Sequence, residues 1–173
     1  MPLLEEWRRW LAGVGEDPDR EGLVDTPRRL RSMLEDMVLP PSSLPDDPLA
    51  TTFAVAGYDD WVCLDRIPFG SLCEHHLLPF FGHISLAYWP AAGRVVGLSK
   101  LVRLAEQLSR RLTLQERLTV QLAEAIFSGL RPRAAAVRVE AEHQCMGLRG
   151  VRIPNLRTTT FHRIGDAPRW PFP

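Results

Sequence analysis

Cysteine is scarce in this chain of 173 residues: it occurs three times, at positions 63, 73 and 145. A small, odd number excludes a disulfide framework. It leaves thiolates free to bind metal in a reduced setting, so the expected location is cytoplasmic. Lysine is scarcer still, since Lys100 stands alone among 21 basic residues. A genome that favours arginine codons explains this, and so does a position that needs a compact ammonium rather than a planar guanidinium. Net charge is absent, because 21 acidic residues balance the basic ones. A broad electrostatic footprint for nucleic acid is therefore not expected, which leaves room for a local basic pocket only. No stretch approaches the roughly 18 apolar residues of a membrane span, so no membrane partner is expected. The opening MPLLEEWRRW has early acids and no long apolar run, unlike a secretory signal. Repeats and low-complexity tracts are missing too.

What is present is a 45% apolar content, enough for a real core in one domain, or one domain with an extra arm. Leu3, Leu4, Trp7 and Leu11 suit a short helix over 3–12. A second begins near DTPRR, with Asp25 or Thr26 as N-cap and Pro27 in the first turn. Residues 39–48, LPPSSLPDDP, read as a linker. Strands are expected over 51–67 and 82–89, where Ile84, Leu86 and Tyr88 alternate with His83, Ser85 and Ala87. Ser99 is expected to cap a helix over about 100–110, and Thr113 opens another through Leu118, Leu122 and Ile126. A last strand places Val137, Val139, Ala141, His143 and Cys145 on one face. Strands, two helices and a further strand predict an α+β fold, an antiparallel sheet with two helices packed on one face after an N-terminal helical segment. The divisions expected are 1–48, a helical arm and linker; 49–160, the main folded domain; and 161–173, an irregular tail.

The chemistry concentrates in SLCEHHLLPF, residues 71–80. Cys73 and His76 are three apart between Gly70 and Pro79, so a tight turn aims both at one point. With Cys145 they make two thiolates and an imidazole, a soft set that prefers zinc. Three protein ligands leave a fourth tetrahedral position for water, whose pKa zinc lowers towards about 7. A closed structural site needs a fourth ligand, and the only remaining cysteine, Cys63, sits in an apolar strand context and reads as core. His75 and His143 neighbour the ligands without belonging to them, and such imidazoles move protons near neutral pH. Lys100 and Arg103 lie one turn apart at a helix start, Arg149 follows the second metal segment, and Arg28 and Arg29 lie in the first long helix. They suit a polyphosphate or simply a solvated basic face. Glu116 is equally open. TLQE fits a capping box with Thr113, while a carboxylate also accepts two parallel hydrogen bonds from a guanine edge.

Taken together, DTPRR, IPFGSLCEHHLLPFFGHISLAYWP, GRVVGLSKLVRLAEQLSRRLTLQERLTVQLAEAI, VEAEHQCMGLRG and TTT resemble GTP cyclohydrolase I over most of residues 16–160. The resemblance implies a T-fold whose subunits form a toroid, usually a homodecamer of two pentamers, with active sites at the interfaces. It implies that Cys73, His76 and Cys145 bind catalytic zinc and that His75 and His143 act in acid–base steps. Glu116, with Gln115 nearby, would hold the guanine, and Ser99 would lie beside the ribose. Lys100, Arg103, Arg149 and, from another subunit, Arg29 would hold the triphosphate. Glu74 belongs to the motif without a firm role. The implied activity is hydrolysis of cyclic amidine C–N bonds in GTP. Formate leaves and the ribose recloses as 7,8-dihydroneopterin triphosphate, the first step of pterin and tetrahydrofolate synthesis. Two other readings use the same residues: a catalytically silent nucleotide-binding paralogue, and a zinc hydrolase acting on a related purine nucleotide. The chain departs from the family in a shortened N-terminal arm and in ending as FHRIGDAPRWPFP where a helix is usual.

Overall fold

The computed structural model describes residues 2–39 and 48–172, which fall into two units, 1–38 and 39–173. The first unit holds α1 (Pro2–Gly13), α2 (Glu21–Val24) and α3 (Thr26–Met37). Pro27 sits in the first turn of α3, where its missing N–H has no intrahelical partner to lose. Asp25 precedes it as N-cap but makes no capping bond; its carboxylate instead accepts from Arg28 at 3.2 Å. The four-residue α2 was not expected, and one turn is too short for a periodicity to show. Trp7 and Trp10 stack with ring centroids 5.2 Å apart. The linker expected over 39–48 lies almost wholly outside the described residues.

The second unit is built on β2 (Val62–Cys73), β3 (Pro79–Trp89), β6 (Ala134–His143) and β7 (Arg157–Gly165), with short β1 (Thr52–Ala54), β4 (Arg94–Val96) and β5 (Leu112–Thr113). The main sheet runs β5-β2-β3-β6-β7 and is antiparallel except for the two-residue β2–β5 pairing; β1 and β4 pair separately. Two helices, α4 (Leu98–Ser109) and α5 (Gln115–Leu130), supply Leu101, Leu104, Leu118, Leu122 and Ile126 to a core shared with the sheet. Their i, i+3 and i, i+4 spacing stacks these side chains on one stripe of each helix, which meets the alternate residues Ile84, Leu86, Val137 and Val139 of β3 and β6. This is the α+β arrangement expected, and the subunit architecture that the T-fold resemblance implies.

Two backbone devices shape the sheet. The β2–β3 register shifts between Leu64 and Ile67, and Arg66 there takes a φ of 58°, so β2 is bent by a bulge. At Gly82 the strands approach so closely that a Cβ would lie 2.0 Å from the Glu140 carbonyl oxygen.

Several local expectations are corrected. The strand foreseen over 51–67 is broken into β1 and β2, with Gly57 at φ 80° between them. Cys63 is exposed rather than core, paired with Ala87 on the face that the helices do not cover. Ser99 does not cap α4, which begins at Leu98 after Gly97. The capping box at Thr113 does not form: Thr113 belongs to β5, donates to the Leu114 carbonyl, and leaves Leu114 as N-cap. The tail expected to be irregular from 161 continues as strand to Gly165, because Thr158, Thr160, His162 and Ile164 keep a two-residue period. Beyond it, Ala167 and Phe172 fold against Trp61 and Trp89 on the uncovered face. There Trp61 Nε1 donates to the Arg169 carbonyl at 3.2 Å, and the Arg169 guanidinium pairs with Asp60.

Candidate metal centre and active site

The end of β2 and the start of β3 are joined by a turn that returns the chain on itself. Cys73 N–H donates to the Leu78 carbonyl at 3.0 Å, and Leu77 and His76 N–H donate back to the Cys73 carbonyl at 2.9 and 3.3 Å. Leu77 closes this turn with a φ of 54°. The side chains of Cys73 and His76 therefore lie side by side, with Sγ 3.9 Å from Nδ1. Cys145 reaches them from another direction. The strand alternation expected to carry it ends at His143, and Gln144–Gly147 form a single helical turn, α6, with Cys145 inside it. The expectation of a shared strand face is thus wrong in its route. The turn of α6 nonetheless delivers the sulfur, and ligand atoms of Cys73, His76 and Cys145 all lie within 4.8 Å of one another.

The donor set fits a soft dication. Burial pushes the Cys145 thiol up from its ordinary value, and the nearby Cys73 sulfur pushes it further. Two sulfurs crowded together resist becoming thiolates until a positive charge joins them. Cys63 is not a fourth ligand among the described residues: it lies ten positions back along β2, about 30 Å at the usual strand rise.

Around this cluster the sheet and α5 hold the remaining polar groups. His143 ends β6, with its ring stacked on Phe80, centroids 4.8 Å apart and planes 2° apart. Its Nε2 lies 2.8 Å from the side-chain oxygen of Gln115. Burial lowers the His143 pKa, and the charge of Glu116 works in the opposite direction, so Glu116 is within electrostatic reach. His75 is exposed in the turn, its ring edge-on to His76 with centroids 6.1 Å apart. Arg149 brings Nη1 to 3.0 Å from His76 Nε2.

Lys100 and Arg103 stand one turn apart at the start of α4, with Ser99 exposed beside them. No carboxylate pairs with either cation among the described residues. Arg29 belongs to the first unit, on α3, where its guanidinium is 3.8 Å from Asp25. Gln115, expected beside a guanine, is 1% exposed, and its side chain is engaged with protein groups on every side.

Sequence reasoning missed three contributors. Phe80 lay unremarked inside the motif. Arg117 clamps the metal turn through Glu74, at 2.5 and 3.1 Å to its two oxygens, which gives that motif glutamate a place. Thr160 touches both Gln115 and Thr119. The TTT stretch was the only signal for the last, and nothing in single-sequence spacing marks the other two.

The family model described as GTP cyclohydrolase I matches residues 3–169. A protein named GTP cyclohydrolase 1 from Clostridioides difficile (strain 630) is 47% identical over 153 residues, 88% of this chain and 80% of that protein. One of the same name from Streptococcus suis (strain 05ZYH33) is 48% identical over 152 residues, 88% and 81% of the two chains. A third, from Carboxydothermus hydrogenoformans, is 48% identical over 153 residues, 88% and 79%. Among solved structures, the archaeosine synthase QueF-Like in its apo form aligns with a TM-score of 0.49 at 18% identity, covering 64% of this chain and 99% of that one.

Proposed function

The chain belongs to the GTP cyclohydrolase I family, and from that premise we propose that its site hydrolyses GTP, releases formate and forms 7,8-dihydroneopterin triphosphate at the entry to pterin and folate synthesis. The observation that carries this reading is the convergence of Cys73, His76 and Cys145 beside a half-buried His143. Zinc is the ion that two sulfurs and one imidazole favour, and when bound there it supplies a Lewis acid that makes hydroxide available near neutral pH.

The protein's own groups do the rest. Glu116 accepts the ring N–H and exocyclic amine of the guanine, a role open to it because no capping box engages its carboxylate. Lys100, Arg103 and Arg149 hold the triphosphate, joined by Arg29 supplied from a neighbouring subunit. Ser99 lies beside the ribose. His75 moves the proton at the purine nitrogen, and His143 the proton of the opened ribose. Burial favours the neutral form of His143, in which one ring nitrogen accepts a proton. The assembly proposed is a homodecamer of two pentamers in the cytoplasm; no helix among the described residues is long and apolar enough to cross a membrane.

Purified protein loaded with zinc and given GTP should release formate and a fluorescent pterin, while ATP, ITP and XTP in parallel should not be processed comparably. Metal-replete protein that yields neither product from GTP overturns the reading.

A further inference from the structure

We propose that Gln115 is a positioning residue that fixes His143 in one tautomer, with hydrogen on Nε2 and the lone pair on Nδ1, and that Thr160 of β7 holds Gln115 to this task. The inference rests on the proton-transfer role proposed for His143.

Hydrogen-bond direction fixes how the Gln115 amide is oriented. The Gln115 side-chain nitrogen lies 3.0 Å from the Val139 carbonyl oxygen, 3.0 Å from the Thr158 carbonyl oxygen and 3.2 Å from Thr160 Oγ1. Carbonyl oxygens only accept, so the amide atom facing two of them must be the NH2. The opposite orientation would press three oxygens together in a site 1% exposed to solvent. The amide oxygen therefore faces His143, 2.8 Å from Nε2. An amide oxygen carries no hydrogen, so Nε2 must donate. In the neutral ring the lone pair is then left on Nδ1.

The outer end of the relay is directed in the same way. Thr119 Oγ1 donates to the Gln115 backbone carbonyl at 2.7 Å, which uses its only hydrogen. At 2.6 Å from Thr160 Oγ1 it can then only accept, so the Thr160 hydroxyl donates to it and turns its lone pairs towards Gln115. Phe80 holds the plane of the His143 ring, and Gln115 sets which edge of that plane carries the hydrogen. This gives the TTT stretch and the buried glutamine one shared purpose, the aim of an imidazole.

The test combines spectroscopy with kinetics on the zinc-loaded, full-length protein. With 15N-labelled histidine, long-range proton–nitrogen correlations at a single pH above 7.5 report the His143 tautomer. Wild type should show hydrogen on Nε2. Gln115→Met, which keeps the length and loses the amide, should show mixed tautomers, a kcat lower by about tenfold or more, a KM within about threefold and unchanged zinc content. Thr160→Val should move both readouts the same way, and Thr160→Ser should restore them. If Gln115→Met does not fold, the two Thr160 variants read the same relay. Wild-type hydrogen on Nδ1, or wild-type kcat in Gln115→Met or Thr160→Val, overturns the inference. His143→Ala separates the two claims: if it turns over GTP normally, the role of His143 fails, whatever the tautomer.

Discussion

Phe80 and His143 lie face to face, their ring planes 2° from parallel, on directly paired positions of β3 and β6. A fully buried core residue thus sets the plane of a ring at the edge of the candidate metal centre. Phe80→Leu keeps most of the apolar volume and removes the flat face. It should lower stability by about 1 kcal/mol and reduce kcat more than it changes KM. Urea unfolding and steady-state kinetics on the same preparation check both.

His143→Ala should lower kcat by about 10²–10⁴-fold, the usual contribution of a positioned proton carrier. Zinc content by elemental analysis should stay near that of wild type, since His143 is not in the ligand cluster.

Cys145→Ser should weaken zinc binding by more than about 100-fold and abolish formate release, with the far-ultraviolet circular dichroism unchanged. Cys63→Ser should alter neither binding nor turnover, because Cys63 is exposed and far along β2. Lost zinc in Cys63→Ser would mean a closed four-ligand site.

The pair between Arg117 and Glu74 tethers α5 to the metal turn. Both residues are partly exposed, so Arg117→Leu should lower stability by only about 1 kcal/mol, or roughly 2–4 °C in Tm for a chain of this size. The zinc dissociation rate in a chelator competition should rise, because the turn carrying Cys73 and His76 loses its brace.

Glu140 supplies a pH dependence. Its desolvation favours the protonated form, but the hydrogen bond and charge of Arg157, with Arg138, outweigh it and hold the carboxyl below its ordinary value. A folded-state pKa below the unfolded one means the unfolded chain binds more protons. The contribution is then complete above about pH 4.5 and is lost as pH falls through the folded value. Glu140→Gln should flatten the acid limb of the Tm-against-pH curve between about pH 5 and 3 and leave the neutral region nearly parallel to wild type.

Periodicity made the core of the fold legible: Leu118, Leu122 and Ile126 on α5, and the alternation of β3 and β6, are where they were expected. The convergence of Cys73, His76 and Cys145 was legible because soft side chains at such spacings are rare in a chain with three cysteines. The path of Cys145 was not, since a single helical turn after a strand leaves no pattern distinguishable from continued alternation. Capping failed at Ser99 and Thr113 because tertiary packing moved the helix starts by a residue or two. The face of Cys63 was misread because its apolar context suggested core, whereas Val62 and Leu64 on either side pack against the core and the strand alternation turns Cys63 outward. The role of Gln115 needs a strand more than 40 positions away, and no local window reaches it.

That distance has a consequence for biosynthesis. Every donor of the sulfur–imidazole cluster has been added to the chain once Cys145 is made, but Thr158 and Thr160 come afterwards. A prematurely terminated product ending after Cys145 and before Thr158 would contain all three donors, while Gln115 would lose two of its acceptors and keep only the Val139 carbonyl. Such fragments should capture zinc yet stay inert towards GTP, so metal content alone is a poor measure of how much of a preparation is mature.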